Sequence, residues 1–395
     1  MNTVQMKEMD SRFLRPIIEQ EILFASEAAA YLGITPQRLN QLVHTGKVKP
    51  VRTSPSGNLY LRSDMEERRK RMHGNQIAYI SALFEKNEAT TVYEAMNYFT
   101  IQSIFNGSDK KATAEFERLA EKFQLTEELT NNLRLIADDL GVELEVMEKA
   151  YTAVVGGFQQ LGADDYIVKK GQNHYPNKLS EISDAPLFLF MRGNPELLTK
   201  RLVTVVGGRK TTENGEAMAY ELSKELGQEG YVIVSGLSKG IDSVVQQATV
   251  NHQLPTVAVL GTPITHFHPR EHQVLQGQLE DHGLVISQFP PSVKVQRWHF
   301  PMRYALMSGI SEATVMIEST DKSEVLEQAD YACKYRRPLL LPQVALDDRK
   351  LQWPNRYIDY GKMYAYRKPT DVLKRMEMLT TEDGTSARYA QQTIG

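Results

Sequence analysis

Apolar residues gather in two kinds of run along this chain. At 202–206 (Leu-Val-Thr-Val-Val) and 231–235 (Tyr-Val-Ile-Val-Ser) they are short, continuous and β-branched, and a glycine follows each. Strands buried on both faces of a parallel sheet read this way. Between them, residues 216–229 set Ala217, Tyr220, Leu222 and Leu226 at mostly helical spacing, and Gly230 supplies a helix stop. The unit predicted is β-α-β, and Thr-Val-Ala-Val-Leu at 256–260 predicts a third strand of one doubly wound sheet. Open α/β sheets bind ligands at the carboxyl ends of their strands. At those ends stand Gly207, Gly208 and Arg209 after the first strand, and Ser235, Gly236, Lys239 and Gly240 at the second. Glycines let the backbone approach a phosphate, amides at the next helix start point at it, and Arg209 and Lys239 add charge.

The pattern upstream is different. Residues 75–87, 91–105, 109–123, 126–140 and 144–158 carry apolar side chains three and four apart, with breaks at 106–108 and Gly141. Five helices are expected there, with no catalytic constellation. A spacer bundle, a dimer arm and a partner-docking surface all fit. Nearer the N-terminus, residues 26–32 predict a short helix with Ser26 as N-cap, ended by Gly33. Thr35 and Pro36 open a second helix to Val43, and 51–61 reads as a hairpin turning at 55–58, with a charged helix over 64–72. Helix, glycine turn, helix and wing together resemble the winged helix-turn-helix of the MerR and excisionase type, over residues 21–73. That resemblance implies duplex DNA as ligand, with Gln37, Arg38 and Gln41 toward the major groove and Lys47, Lys49 and Arg52 on phosphates. The stretch carries a charge of about +4, and a protein-interaction domain of the same shape is the other reading. The run from Arg68 to Arg71 follows two glutamates and reads as a solvated face.

Composition narrows the class. With 395 residues, two or three domains are expected, and 41% hydrophobic with 24% charged residues describes a soluble protein with ample core. No apolar run approaches membrane-spanning length, and residues 1–7 lack a signal-peptide core, so no membrane partner is expected. One cysteine, Cys333, excludes an intrachain disulfide framework and fits a cytoplasmic location, as a packed thiol rather than a nucleophile. The net charge of −3 means that any nucleic-acid site must be a local patch.

From Tyr175 a longer string of motifs appears. It comprises Tyr175-Pro176, Ile182 to Gly193, Val206 to Arg209, Ser235 to Asp242, Gly283 to Pro290, Phe300-Pro301-Met302-Arg303, Ser308 to Ser311 and Val315 to Glu318. In this order they resemble the DNA-processing protein A (DprA, or Smf) family over residues 171–378. The resemblance implies an extended Rossmann-like, doubly wound, mostly parallel sheet, here preceded by the winged helix-turn-helix and the helical segment. The expected domains are therefore 1–73, 74–170 and 171–378, with a tail at 379–395 that is expected to be mobile. It further implies a basic pocket for single-stranded DNA at the sheet's carboxyl edge, loading of a RecA-type recombinase, and a homodimer or higher oligomer. Carried over by position, the pocket holds Gly207, Gly208, Arg209, Ser235, Gly236, Lys239, Gly240, Arg297 and Arg303, and Phe300 either stacks on a base or fills the core. No cofactor and no catalytic residue are implied, and no additional winged domain is expected after the sheet.

Four departures from that pattern suggest a specialised role, with mobile-element or phage-defence contexts among the options. Glu324 and Glu327 replace small or neutral residues at a helix N-terminus, where an anion is otherwise favoured. Tyr304 and Ala305 stand for Asn and Arg, Gln246 for His, and Gln288 for Glu. The alternative function is a nucleotide-sensing or nucleotide-cleaving effector, with Glu318 and Glu324 as a carboxylate pair. Two of the spacings among His266, His268 and His272 are workable for a metal, but no acidic or cysteine partner is placed by sequence, so no metal is expected.

Overall fold

A computed structural model describes residues 21–32, 36–54, 57–65, 67–68 and 80–379. The expected caps at Gly33 and Thr35, the first half of the hairpin turn, most of the Arg68–Arg71 run and the tail from 380 lie outside the described residues.

The N-terminal part has β1 (Ile22–Phe24), α1 (Ala25–Tyr31), α2 (Pro36–His44), β2 (Arg52–Ser54) and β3 (Gly57–Leu61). The three strands form one antiparallel sheet in the order β1-β3-β2. Ala28, Ala29, Leu39, Leu42 and Tyr60 close a small core between helices and sheet. Ser26 is not the N-cap. The helix starts one residue earlier, and Glu27 reaches back to accept the Phe24 N–H at 2.7 Å, because a glutamate in the first turn satisfies an orphan amide that a serine inside the turn cannot reach.

Next come α3 (Ala89–Ile104), α4 (Asp109–Ala120), α5 (Leu133–Leu140) and α6 (Leu144–Phe158). Of the helix expected over 75–87, residues 75–79 lie outside the described residues, and 81–85 make a 3₁₀ turn. The helix expected over 126–140 is a 3₁₀ turn at Leu129–Asn131 and then α5. This unit is not a separate spacer. Phe99 and Phe158 meet Phe190 at ring-centroid distances of 5.4 and 5.7 Å, and Tyr98 meets Phe188 at 5.5 Å, so the helices share one core with the sheet.

The sheet has nine strands: β4 (Asp165–Lys169), β5 (Phe188–Gly193), β6 (Leu202–Val206), β7 (Val232–Ser235), β8 (Thr256–Val259), β9 (Leu284–Ser287), β10 (Ala313–Met316), β11 (Leu339–Pro342) and β12 (Met363–Tyr366). Their order is β12-β11-β10-β6-β7-β8-β9-β5-β4. Pairing is parallel from β12 to β9 and antiparallel at β9–β5 and β5–β4. The fold is thus the expected α/β class with a mostly parallel sheet. It takes in β4, which lies ahead of residue 171, where the sequence reading opens this region. That strand is bounded by Asp165 and Lys169 and sits at an edge, so it lacks the continuous apolar run of a central strand.

Side chains alternate across the sheet. Val203, Val205 and Ile233 point to α7 (Glu213–Gln228) and α8 (Ile241–Asn251), while Leu202, Val206, Val232 and Val234 point to the opposite core. The first face also carries α9 (Gln273–His282), and the second carries α10 (His299–Ile310) and α11 (Leu326–Lys334). Chain order runs outward from β6 through β7, β8 and β9 on one side and from β10 through β11 and β12 on the other. The switch point therefore lies between β6 and β10. Both loops leaving it, after Val206 and after Met316, meet at the carboxyl edge. Among the described residues no helix is long and apolar enough to cross a membrane.

Candidate functional site

Two adjoining cavities of about 420 and 450 Å³ open at that edge. Gly207, Gly208, Lys210, Asp242 and Lys322 line the first, and Lys239, His268, Arg297, Phe300, Arg303 and Glu327 line the second. Arg209, Ser238, Tyr304 and Glu324 line both.

The glycines let the two loops at this edge pack closely. A Cβ on Gly207 would lie 2.6 Å from the Ile241 side chain, and one on Gly240 would lie 2.4 Å from the Gly208 carbonyl oxygen. Gly240 also takes a φ of +82°, which an L side chain resists. The two loops therefore touch backbone to backbone, and the Ile241 N–H donates to the Gly208 oxygen at 3.2 Å. The Gly208 N–H is committed as well, donating to the Glu318 oxygen at 2.8 Å. Neither Ser235, Gly236 nor Gly240 lines a cavity wall. Ser235 is buried and donates to the Val205 oxygen at 2.9 Å.

Charge is arranged in layers. At the base, Arg303 is buried, donating from Nη1 to the Gly236 oxygen at 2.6 Å and from Nη2 to Ser238 Oγ at 2.9 Å. It is a clamp on the β7 loop rather than an exposed contact. Asp242 lies beside it, with Oδ2 at 4.0 Å from Arg303 Nη2 and at 3.3 Å from the Ser238 N–H that it accepts. Burial pushes the Asp242 carboxyl upward, against the pull of Arg303. Its Oδ1 is buried without a protein partner.

Nearer solvent, Arg209 donates to Glu324 Oε2 at 2.7 Å, and Lys239 pairs with Glu271 at 2.5 Å. All four side chains are more than half exposed, so neither pair contributes much to stability. The bond to Lys239 draws the Glu271 carboxyl below its usual range. Among the described residues Lys210, Arg297 and Lys322 pair with no carboxylate.

Phe300 is neither core nor free. It is half-buried, with His268 at a centroid distance of 5.2 Å and the Arg303 guanidinium at 6.0 Å. Burial and the charges of Arg209 and Arg303 push the His268 imidazole downward. The three histidines do not converge. Thr265 Oγ contacts the His266 ring and the Leu237 oxygen contacts His272, while His268 stacks near Phe300. Among the described residues no group of three ligating side chains fit to hold a metal occurs.

Glu318 accepts from the Thr212 N–H at 2.7 Å and from Thr212 Oγ at 2.8 Å. Thr212 is the N-cap of α7, so this carboxylate is the resident anion at the helix terminus where a nucleotide phosphate is otherwise welcome. In the N-terminal part, Gln37, Arg38, Gln41, Lys47, Lys49 and Arg52 are all exposed, and Arg38 donates to Gln41 at 2.9 Å.

The switch-point loops, the double-sided sheet and this cavity place the chain among doubly wound α/β proteins with a ligand-sized opening at the carboxyl edge. The chain belongs to the DNA recombination-mediator protein A family, whose model matches residues 166–377. It is 32% identical over 220 residues to the DNA processing protein DprA of Bacillus subtilis (strain 168), covering 55% of this chain and 73% of that one. It is 34% identical over 174 residues to DprA of Streptococcus pneumoniae, covering 44% of this chain and 61% of that one. The X-ray structure of the S. pneumoniae protein superposes with a TM-score of 0.55 at 25% identity, over 72% of this chain and 95% of that chain. The structural likeness thus extends past the segment that the sequences share.

Sequence reasoning passed over Asp242, Lys210, Lys322 and Glu271 as members of the site. The signal for Asp242 is its place in the run Gly240-Ile241-Asp242, one residue into a helix and next to a glycine loop. Nothing local marks Glu271, because its partner Lys239 is remote in sequence.

Proposed function

We propose that this chain is a DNA-processing protein whose carboxyl-edge cavities hold the sugar–phosphate backbone of single-stranded DNA. One observation carries the reading: Arg209, Lys239 and Arg297 meet on one cavity of about 450 Å³ with the half-exposed Phe300 ring as a wall. Guanidinium and ammonium groups neutralise successive phosphates, and an aromatic face accepts any base. The committed amides of Gly208 and Ile241 leave this work to side chains rather than to a glycine cradle. Membership of the family supports the same reading. Recombinase loading, a homodimer and duplex binding by Gln37, Arg38, Gln41, Lys47, Lys49 and Arg52 belong to it as further steps, in ordinary recombination or in a mobile-element or phage-defence setting. The nucleotide-cleaving alternative is not favoured, since Glu318 caps α7 and Glu324 holds Arg209.

Fluorescence anisotropy of a labelled oligonucleotide tests the proposal. The wild type should bind a single strand in preference to the matching duplex, and the Arg209→Ala, Lys239→Ala double variant should lose at least tenfold, taking roughly 1 kcal/mol or more for each charge-assisted contact. Equal single-strand binding by the double variant would move the function away from this cavity.

A further inference from the structure

The loop between β9 and α10 runs from the cavity to the helical unit, and it is fastened there at two glycines. A Cβ on Gly157 of α6 would lie 2.4 Å from the Ser292 nitrogen, and one on Gly107, before α4, would lie 3.6 Å from the Trp298 ring. At its cavity end the loop carries Arg297, which lines the wall. Trp298 follows. Its indole meets Phe289 at a centroid distance of 6.4 Å and His299 at 4.2 Å, at interplanar angles of 77° and 89°, yet it is 45% exposed. An indole roughly perpendicular to both ring neighbours, with nearly half its surface in water, leaves much of a large apolar group uncovered. Beyond it, the Gly107 corner leads to Lys110 and Lys111, both exposed and, among the described residues, without a carboxylate partner.

We propose that Trp298 is a base-stacking platform that carries a bound single strand out of the cavity toward the Lys110–Lys111 corner. This rests on the proposed single-strand reading and extends it to a segment outside the family-matched residues 166–377. The physics is that of strand tracks in general: a ring that takes any base, flanked by cations spaced for phosphates. Arg297 precedes the ring in the chain on the cavity wall, and Gly107, which the ring approaches, leads into the helix that carries the two lysines. The helical unit, built into the sheet's core by Phe99 and Phe158, gives that corner a rigid mounting.

The chain supplies its own reporter. It has two tryptophans, and the other, Trp353, is 1% exposed. Oligonucleotides of about 4 and about 16 nucleotides, the range that one single-strand site covers, are titrated into the full chain. The longer strand should quench the tryptophan emission of the wild type and leave Trp298→Phe, which emits from Trp353 alone, unchanged. Trp298→Ala should lose about tenfold in affinity for the longer strand and keep its affinity for the shorter. Wild-type emission indifferent to the long strand, with Trp298→Ala binding both lengths as the wild type does, overturns the proposal. In that result the cavity reading still stands if Arg209→Ala, Lys239→Ala loses both lengths. Binding of neither length by the wild type removes both readings.

Discussion

Arg209 is the residue on which the site turns, and Glu324 holds it. The carboxylate lies 2.7 Å from the guanidinium, in the position a phosphate oxygen would take. Glu327 adds a second acid to the same cavity. Its own carboxyl is pushed upward, chiefly by burial and further by Glu324 and Asp330. On the proposed single-strand reading, an entering strand would displace this resident anion. Replacing Glu324 by Gln keeps the shape and removes the charge, so single-strand affinity should rise by about twofold to fivefold at low salt, the worth of an exposed pair. Unchanged or weaker binding by Glu324→Gln, measured by the same anisotropy titration, would mean that the pair is incidental. The sequence shows the acid replacement at 324 but not its partner, which lies 115 positions away. Arg303 carries the converse lesson. Its charge is legible and its burial is not, and its guanidinium holds Gly236 and Ser238 at the base of the cavity.

At the scale of elements, α10 and the loop before it join the cavity to the rest of the molecule. His299 opens α10, buried and stacked on Phe289 at 4.0 Å with an interplanar angle of 15°. Its Nδ1 accepts the Gln296 N–H at 3.4 Å, and its Nε2 has no partner. Burial pushes the imidazole down to about 4. The neutral ring is therefore the folded form, and the unfolded chain takes up the proton first as pH falls from about 6.5. Folding stability should decline between about pH 6.5 and pH 4 and level off below, by about 1–3 kcal/mol. Urea melts across that window should show a smaller decline for His299→Phe. An equal decline in the two proteins would assign the pH dependence elsewhere. The elements themselves were legible to different degrees. β6, β7 and β8 announce themselves as continuous apolar runs ending beside glycine, since both faces of the strand are covered. β4, short and polar-ended, does not, and the 3₁₀ turns at 81–85 and 129–131 satisfy helical spacing without continuing it.

On the scale of the whole molecule, seven parallel strands place β6 and β10 side by side with their loops together, and that topology puts cations from widely separated residues around one cavity. The order of motifs after Tyr175 was enough to expect such a sheet. It was not enough to see the helices of 89–158 as part of the same core, because amphipathic periodicity says that a face is buried and not against what. The molecule's overall charge of −3 opposes nucleic acid, so binding must rest on the local cluster and be steeply salt-dependent.

The most direct test is the affinity for a single-stranded oligonucleotide as a function of salt concentration, compared between the wild type and the Arg209→Ala, Lys239→Ala double variant. If both side chains sit on phosphates, the plot of log K against log salt should be linear, and the variant's slope should be shallower by about 1.4. Two parallel lines at equal affinity would contradict the claim that the cavity at the β6–β10 switch point is where this protein holds DNA.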